Sequence, residues 1–187
     1  MEQIPQNDWH TIAEKRLGVL VGTRLTEMHR CLNMEMFGFG PLRPSVREFG
    51  PGKGTVVEHA EFSLHVQCPW RITKNQQIVM GEGDRRILID WFDTNNLSPA
   101  EKDELPRLLE RRVAEFQKLK PNGLLVAHVT IDQMKGLEIG FEENYVLTVF
   151  PENTSSDKCD EYWRYFSWSE EKHLVATFGI FAEESGE

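Results

Sequence analysis

The chain has 187 residues, a length that suits a single domain with a core large enough to fold without disulfides or metals. Its formal net charge of -9 disfavours general nucleic-acid binding, because an acidic surface repels phosphate, and it suits a basic protein partner. The cysteines, Cys31, Cys68 and Cys159, are too widely spaced for a disulfide framework. We find no apolar run of the roughly 18 residues that a membrane helix needs and no leader pattern, so we expect a cytoplasmic protein that is not embedded in a membrane.

Residues 1–18 are predicted to form an N-terminal helix region. Asn7 or Asp8 can cap a short helix that extends to Arg16, and Gly18 is placed to end it. A first β-rich half follows over residues 19–92. It begins with strands predicted at 20–30 and 32–37, and it continues into a loop over 38–54, where glycine and proline are dense.

Residues 61–72 are the most informative stretch of the chain. They read Glu-Phe-Ser-Leu-His-Val-Gln-Cys-Pro-Trp-Arg-Ile, with apolar side chains at every second position. This period of two predicts a strand with one buried and one polar face. Pro69 lacks a backbone donor and predicts an edge or a bulge there. A short strand at 76–80 and a charged turn at 81–84 come next, and 87–92 fits either a strand or a helix.

The clearest helix signal is a capping box at 98–101, which reads Ser-Pro-Ala-Glu. Pro106 predicts a kink or a short first segment. An apolar stripe that includes Leu109, Val113 and Phe116 then predicts one buried helix face, with Glu110 and Arg111 in water. We therefore predict a main amphipathic helix over about 98–120.

A second β-rich half is predicted over residues 123–181, followed by a frayed acidic tail at 182–187. The strands are predicted at 124–131, 137–141, 145–150, 161–167 and 174–181, with hairpin turns at 135–136 and 143–144. Together the elements predict one α+β domain, an antiparallel β-rich structure with the 98–120 helix packed on a sheet face.

His65 and Cys68 invite a catalytic or metal-binding interpretation, but residues an odd number apart point to opposite faces of a regular strand. We predict instead that Cys68 is buried, unpaired and unreactive. The histidines of the chain lack the spacing of a helical zinc site, so the sequence predicts no metal and no cofactor.

Two groups of residues are candidates for binding. His65, Gln67 and Arg71 lie along the polar side of the 61–72 strand, where the alternative is an ordinary solvated face. Trp163 and Tyr165 belong to an aromatic cluster at 162–168, where the alternative is a place in the core.

Residues 64–71, which read Leu-His-Val-Gln-Cys-Pro-Trp-Arg, resemble the most recognisable strand in a group of small uncharacterised bacterial proteins. The resemblance extends to the turn at 81–84 and to the Trp-Arg-Tyr-Phe segment at 163–166, and it covers about residues 17–85 and 123–178. It implies a bacterial, cytoplasmic, β-rich domain and carries no established activity.

Two functional hypotheses remain open. The first is a non-enzymatic protein-binding protein, such as a toxin-neutralising (immunity-like) protein, because the sequence has an acidic charge and contains no catalytic motif. The second is a small-molecule-binding protein or enzyme with a pocket beside the 61–72 strand. A deep pocket lined by His65, Gln67 or Arg71 favours the second, and a flat aromatic or acidic patch favours the first. The sequence gives no oligomeric state.

Overall fold

The computed structural model is mostly antiparallel β-sheet, with an α-helix near the N-terminus. It describes residues 2–3, 8–31, 33–46, 53–86, 113–114, 116–118, 122–152, 161–178 and 181–185. Helix α1 spans Trp9–Gly18, and a helical turn, α2, spans Gly83–Arg86. The strands in the described residues are β1 (Glu2–Gln3), β2 (Arg24–Cys31), β3 (Met34–Val46), β4 (Val56–Val66), β5 (Trp70–Lys74), β6 (Gln77–Gly81), β7 (Leu124–Ile131), β8 (Leu137–Phe141), β9 (Tyr145–Val149), β10 (Glu161–Ser167), β11 (Lys172–Thr177) and β12 (Phe181–Ser185).

The strands pair in the order β1-β12-β11-β10-β4-β3-β2-β7-β8-β9-β5-β6. The first sheet contains β1, β12, β11, β10, β4, β3 and β2. The second sheet contains β7, β8, β9, β5 and β6. β2 and β7 join the two through two residue pairs, Arg24 with Leu125 and Leu25 with Leu124. The sheets share one apolar core, in which the rings of Phe37 and Trp70 meet edge-on with their centroids 5.1 Å apart.

Helix α1 confirms the predicted N-terminal helix. Ala13 and Leu17 are fully buried on its inner side, which anchors the helix to the core. The side chain of Asp8 makes no capping hydrogen bond, and its backbone carbonyl accepts from the Ile12 N–H. The first predicted strand begins later than expected, at Arg24, because two turns follow α1: the Leu20 N–H donates to the Leu17 carbonyl, and the Thr23 N–H donates to the Leu20 carbonyl.

The second β-rich half agrees closely with the sequence prediction. β7, β8 and β10 have the predicted bounds, and β9 ends one residue earlier than expected. The predicted turns also occur, since Lys135, Glu143 and Asn144 all have positive φ. Alternating apolar residues bounded by turn residues were therefore sufficient to locate these strands.

The loop predicted over 38–54 is wrong for its first part, because β3 continues to Val46. The register of β3 on β4 shifts between Phe39 and Leu42, and Gly40 adopts a φ of +85° inside this bulge. β2 last pairs with β3 at Phe39. Pro44 therefore lies beyond the part of β3 that pairs with β2. Its missing N–H breaks no bond to β2, and proline is compatible with a strand edge that has no such neighbour.

The tail predicted to fray at 182–187 is ordered over 182–185. The strand predicted at 174–181 is two strands, and β12 pairs with both β11 and β1. Glu183 is held by Arg16 at 2.9 Å and by Lys172 at 3.3 Å, so its charge is neutralised locally. Charge alone was therefore a poor guide to fraying here.

Most of the predicted helix over 98–120, and the segment 87–92, lie outside the described residues. The described residues 113–114 and 116–118 are helical. Phe116 is buried, and its ring meets the ring of Tyr145 edge-on at 5.8 Å between centroids. None of the helices in the described parts of the chain is both long enough and apolar enough to span a membrane.

Candidate functional site

The predicted polar row of His65, Gln67 and Arg71 is divided between the two sheets. β4 lies between β3 and β10 rather than at a sheet edge, and the single strand predicted over 61–72 is two strands, because β4 ends at Val66 and β5 begins at Trp70. The chain leaves the first sheet after Val66, and the Pro69 carbonyl accepts from the Phe150 N–H as the chain enters the second sheet. Pro69 thus marks a crossing between sheets.

Each member of the row consequently has different surroundings. His65 lies on the outer face of the first sheet, opposite Arg164 of β10. Gln67 is exposed at the crossing, where its N–H donates to the Tyr162 carbonyl. Arg71 is exposed on β5, and its guanidinium carbon lies 5.5 Å from the centre of the Phe150 ring.

Trp163 and Tyr165 are core residues, which was the alternative to a binding role. Both are essentially inaccessible to solvent, and the Trp163 indole donates to the Lys135 carbonyl at 2.7 Å. Burial raises the pKa of the Tyr165 hydroxyl, with Glu170 contributing in the same direction. The side chains that β10 presents outward are those at the intervening positions, Arg164 and Phe166.

Cys68 and His65 do not form a pair. Cys68 is buried, is not in a disulfide and belongs to the core, as its position in the strand predicted. Burial raises the pKa of its thiol to about 12, which keeps it protonated at neutral pH. Among the described residues, no three histidine, cysteine or acidic side chains are arranged to hold a metal ion.

The outer face of the first sheet carries a continuous row of rings, which we call the outer aromatic row: His59, Trp168, Phe166, His65 and His173. Phe166 is at its centre. Its ring stacks on His173 at 4.3 Å and meets His65 edge-on at 4.9 Å and Trp168 edge-on at 5.2 Å. His59 stacks on Trp168 at 4.9 Å and completes the row.

Strand register explains why these rings meet. Directly paired residues point to the same face of a sheet, and Phe166 is paired with Ser63 while Arg164 is paired with His65. On β4 the outward side chains are therefore at odd-numbered positions from His59 to His65.

A charged group supports one end of the row. Arg164 forms a two-point ion pair with Glu161, and its guanidinium also donates to Nδ1 of His173 at 3.1 Å. The proton of neutral His173 is therefore on Nε2. Burial, and then the nearby positive charge of Arg164, lower the pKa of His65 to about 4. His65 is a neutral imidazole at neutral pH.

Trp168 is the exposed member of the row. Its side chain is 56% exposed, although contacts with His59 and Phe166 fix the ring, whereas Phe166 itself is only 5% exposed. Two carboxylates, Glu170 and Glu171, follow in the turn before β11. The result is an exposed indole just past the end of β10, fixed by two ring contacts, which suits apolar and cationic contacts.

A cavity of about 260 Å³ lies elsewhere, against the inner face of β2 and β3 and the described helical residues. The carboxyl group of Glu35, on β3 opposite Val66, contributes to its wall and is only 1% exposed. The lining residues are Met28, His29, Arg30, Glu35, Val113, Ala114 and Gln117. His65, Gln67 and Arg71 do not line it.

Sequence reasoning missed His59 as a member of a site, and from the aromatic cluster at 162–168 it selected Trp163 and Tyr165 rather than Trp168. The sequence does contain a signal for His59. Alternate residues of a strand point to the same face, so extending the predicted strand from Glu61 back to His59 places His59 on the same outer face as His65. The pairing of β4 with β10, which brings Trp168 beside His59, is a long-range contact that periodicity does not reveal. No protein-family model, curated protein or solved structure matches this chain.

Proposed function

We propose that this chain is a non-enzymatic protein-binding protein of the cytoplasm, in the manner of a toxin-neutralising (immunity-like) protein. Its binding surface is the outer aromatic row, and its partner presents a basic surface. The observation that carries the proposal is Trp168, a tryptophan that is 56% exposed although two ring contacts fix it. Large aromatic side chains of this kind dominate the energy of protein interfaces.

The fixed geometry of the row favours tight binding. An interface side chain that is mobile before association loses roughly 0.5–1.5 kcal/mol of conformational freedom when the partner orders it. The Trp168 ring is already stacked on His59 and packed against Phe166. Burial of its exposed surface by a partner therefore gains hydrophobic energy with little loss of entropy.

The charge of the chain supports a basic partner. The net charge is -9, and Glu170 and Glu171 lie next to Trp168 in the sequence. A lysine or arginine of the partner can lie over the Trp168 ring, with Glu171 nearby in the sequence, whereas the Glu170 carboxylate is already paired with Arg16 at 2.7 Å. Such an interface should associate faster at low ionic strength.

The test compares three purified forms of the full chain as affinity baits: wild type, Trp168→Ala and Phe178→Ala. Phe178 is the matched control, because it is 44% exposed but follows the opposite end of β11. A true partner is captured by wild type and by Phe178→Ala and is depleted about tenfold or more by Trp168→Ala. The purified partner should then bind by calorimetry with an affinity that falls as salt is added.

Two results would overturn the proposal. The first is equal retention of every captured protein by Trp168→Ala, provided that circular dichroism shows an intact fold. The second is a partner that loses affinity equally with both variants, since that would indicate a general effect on the fold rather than a site at the row.

The alternative function, small-molecule binding, is supported by the cavity beside Glu35. A thermal-shift screen of metabolites addresses it directly, because a ligand of the native state raises the unfolding temperature. A stabilising ligand whose effect disappears in Met28→Trp, which fills the cavity, would favour this alternative over the protein partner.

A further inference from the structure

Arg16 lies in the last turn of α1 and contacts the segment that carries Trp168. Its guanidinium nitrogens lie 2.7 Å from an oxygen of Glu170 and 2.9 Å from an oxygen of Glu183, and one of them donates to the Lys172 carbonyl at 2.8 Å. A planar guanidinium with five N–H donors can hold several acceptors at once in a fixed geometry. Arg16 therefore joins α1, β12 and the segment between β10 and β11 through a single side chain.

The turn at 168–171, which connects β10 to β11, also has hydrogen bonds of its own. The Glu170 N–H donates to the Ser167 carbonyl at 3.1 Å, and the Trp168 N–H donates to the Glu61 carbonyl at 3.3 Å. The hydroxyls of Ser167 and Ser169 lie 2.8 Å apart, and the Ser169 N–H donates to the Ser167 hydroxyl. Such local bonds define the shape of a turn, whereas contacts with distant elements decide where the turn lies on the protein.

Arg16 and the outer aromatic row hold this turn from opposite faces of the first sheet. Glu183, the other carboxylate beside Arg16, is paired with the core residue Leu174, and directly paired residues point to the same face. The Arg16 guanidinium is therefore on the inner side of the sheet. The Trp168 ring stacks on His59 in the outer aromatic row. An anchor on each side leaves the turn little freedom to move, and the orientation of Trp168 depends on the backbone of the turn.

We propose that Arg16 is a positioning residue of the binding surface: it fixes the turn through Glu170 and the Lys172 carbonyl, and the turn presents the Trp168 ring to the partner. This role rests on the proposed function, because a fixed ring matters where a partner meets it. Without Arg16, the turn and the ring occupy more conformations before association, and the partner must order them as it binds. Affinity should then fall about three- to tenfold, although the outer aromatic row itself is unchanged.

Fluorine NMR of the full chain labelled with 5-fluorotryptophan reports on the Trp168 ring directly and needs no partner. The Trp168 resonance is assigned by its loss in Trp168→Phe. Arg16→Ala should move this resonance toward the position that it has in urea, and Arg16→Lys, which keeps the charge, should restore it in part. Lys172→Ala is the matched control. It removes the other cation beside Glu183, at 3.3 Å, but keeps the pair of Arg16 with Glu170, so it should leave the Trp168 resonance in place.

Glu170→Gln provides a second variant should Arg16→Ala fold poorly. It removes the charge that Arg16 holds on a side chain that is about half exposed, and it should move the Trp168 resonance in the same direction. A Trp168 resonance that stays in place in a folded Arg16→Ala, or in Glu170→Gln, overturns the positioning role whatever the bait experiment shows. A resonance that moves as expected supports the positioning role even where no captured protein depends on Trp168, and that result would overturn the proposed function alone.

Discussion

The carboxylate of Glu27, on β2, accepts a hydrogen bond from the backbone N–H of Ala60, on β4, at 2.8 Å, although β3 lies between these strands. Gly38 of β3 makes this contact possible. A Cβ atom at that position would lie 2.7 Å from the Cβ of Ala60 and 3.0 Å from the Cβ of Glu27. The absence of a side chain at Gly38 thus allows a carboxylate to cross one strand and bond to the next.

Gly38→Ala is therefore expected to destabilise the protein by about 2 kcal/mol or more, because the new methyl group displaces the neighbouring side chains and weakens the Glu27 contact. Urea denaturation measures the change in the free energy of unfolding. Gly18→Ala is the control: a Cβ there meets nothing within 4 Å, so its stability should be equal to wild type or higher. Equal effects of the two substitutions would contradict this role of Gly38.

This contact illustrates what the sequence could and could not predict. Period-two alternation located β7, β8 and β10, because each strand buries one face and the signal is local. The glycines at 38 and 40 suggested a loop by the same local rules. Their actual roles, a close approach at Gly38 and a bulge at Gly40, depend on strands that are distant in sequence.

The candidate site was less predictable than the fold for a similar reason. His65 was identified because it lies on the polar side of the alternating 61–72 segment, and it does belong to the outer aromatic row. Trp163 and Tyr165 were selected from a dense aromatic segment, but the sequence did not show which face of β10 is buried. Both residues lie on the buried face. Arg71 lies in the second sheet and His65 in the first, because the chain passes from one sheet to the other at Pro69. The sequence indicated only an edge or a bulge at this proline.

The two described cysteines should differ sharply in reactivity. Cys31 is exposed, whereas Cys68 is 5% exposed and burial raises the pKa of its thiol to about 12. Iodoacetamide should therefore modify Cys31 rapidly and Cys68 only on unfolding, as followed by peptide mass spectrometry. Rapid labelling of Cys68 in the native protein would show this assignment to be wrong. Cys68→Ala should lower stability by about 1 kcal/mol or more through lost packing.

Phe116→Ala should destabilise the protein by about 3 kcal/mol, since Phe116 is buried and its ring packs on Tyr145. Gln117→Ala, at the next position and exposed, should change stability by less than about 0.5 kcal/mol. Phe116 is buried and Val113 packs against the core, whereas the packing of the whole predicted helix on a sheet face stays a prediction. Leu109, Glu110 and Arg111 lie outside the described residues, so their orientation stays a prediction. Similar losses from Phe116→Ala and Gln117→Ala in urea denaturation would contradict the phase.

His65 should make stability depend on pH below neutrality. Its pKa falls from 6.5 to about 4 in the folded state, so the unfolded chain binds the extra proton more readily. The contribution to stability is therefore fully present above about pH 6.5 and is lost as the pH falls toward 4. Because the imidazole keeps some contact with water, we expect a loss of roughly 1–2 kcal/mol between pH 7 and 4.5.

Comparison with His65→Gln isolates this contribution, because the other titrating groups are shared and their effects cancel. Urea denaturation at pH 7 and at pH 4.5 should give a larger loss of stability for wild type than for His65→Gln. The imidazole carbon resonance of His65 in an NMR titration should remain in its neutral position through pH 5. A midpoint near the ordinary value of 6.5, together with equal pH dependence of the two proteins, would mean that His65 is solvated and that the Phe166 ring does not cover it as described.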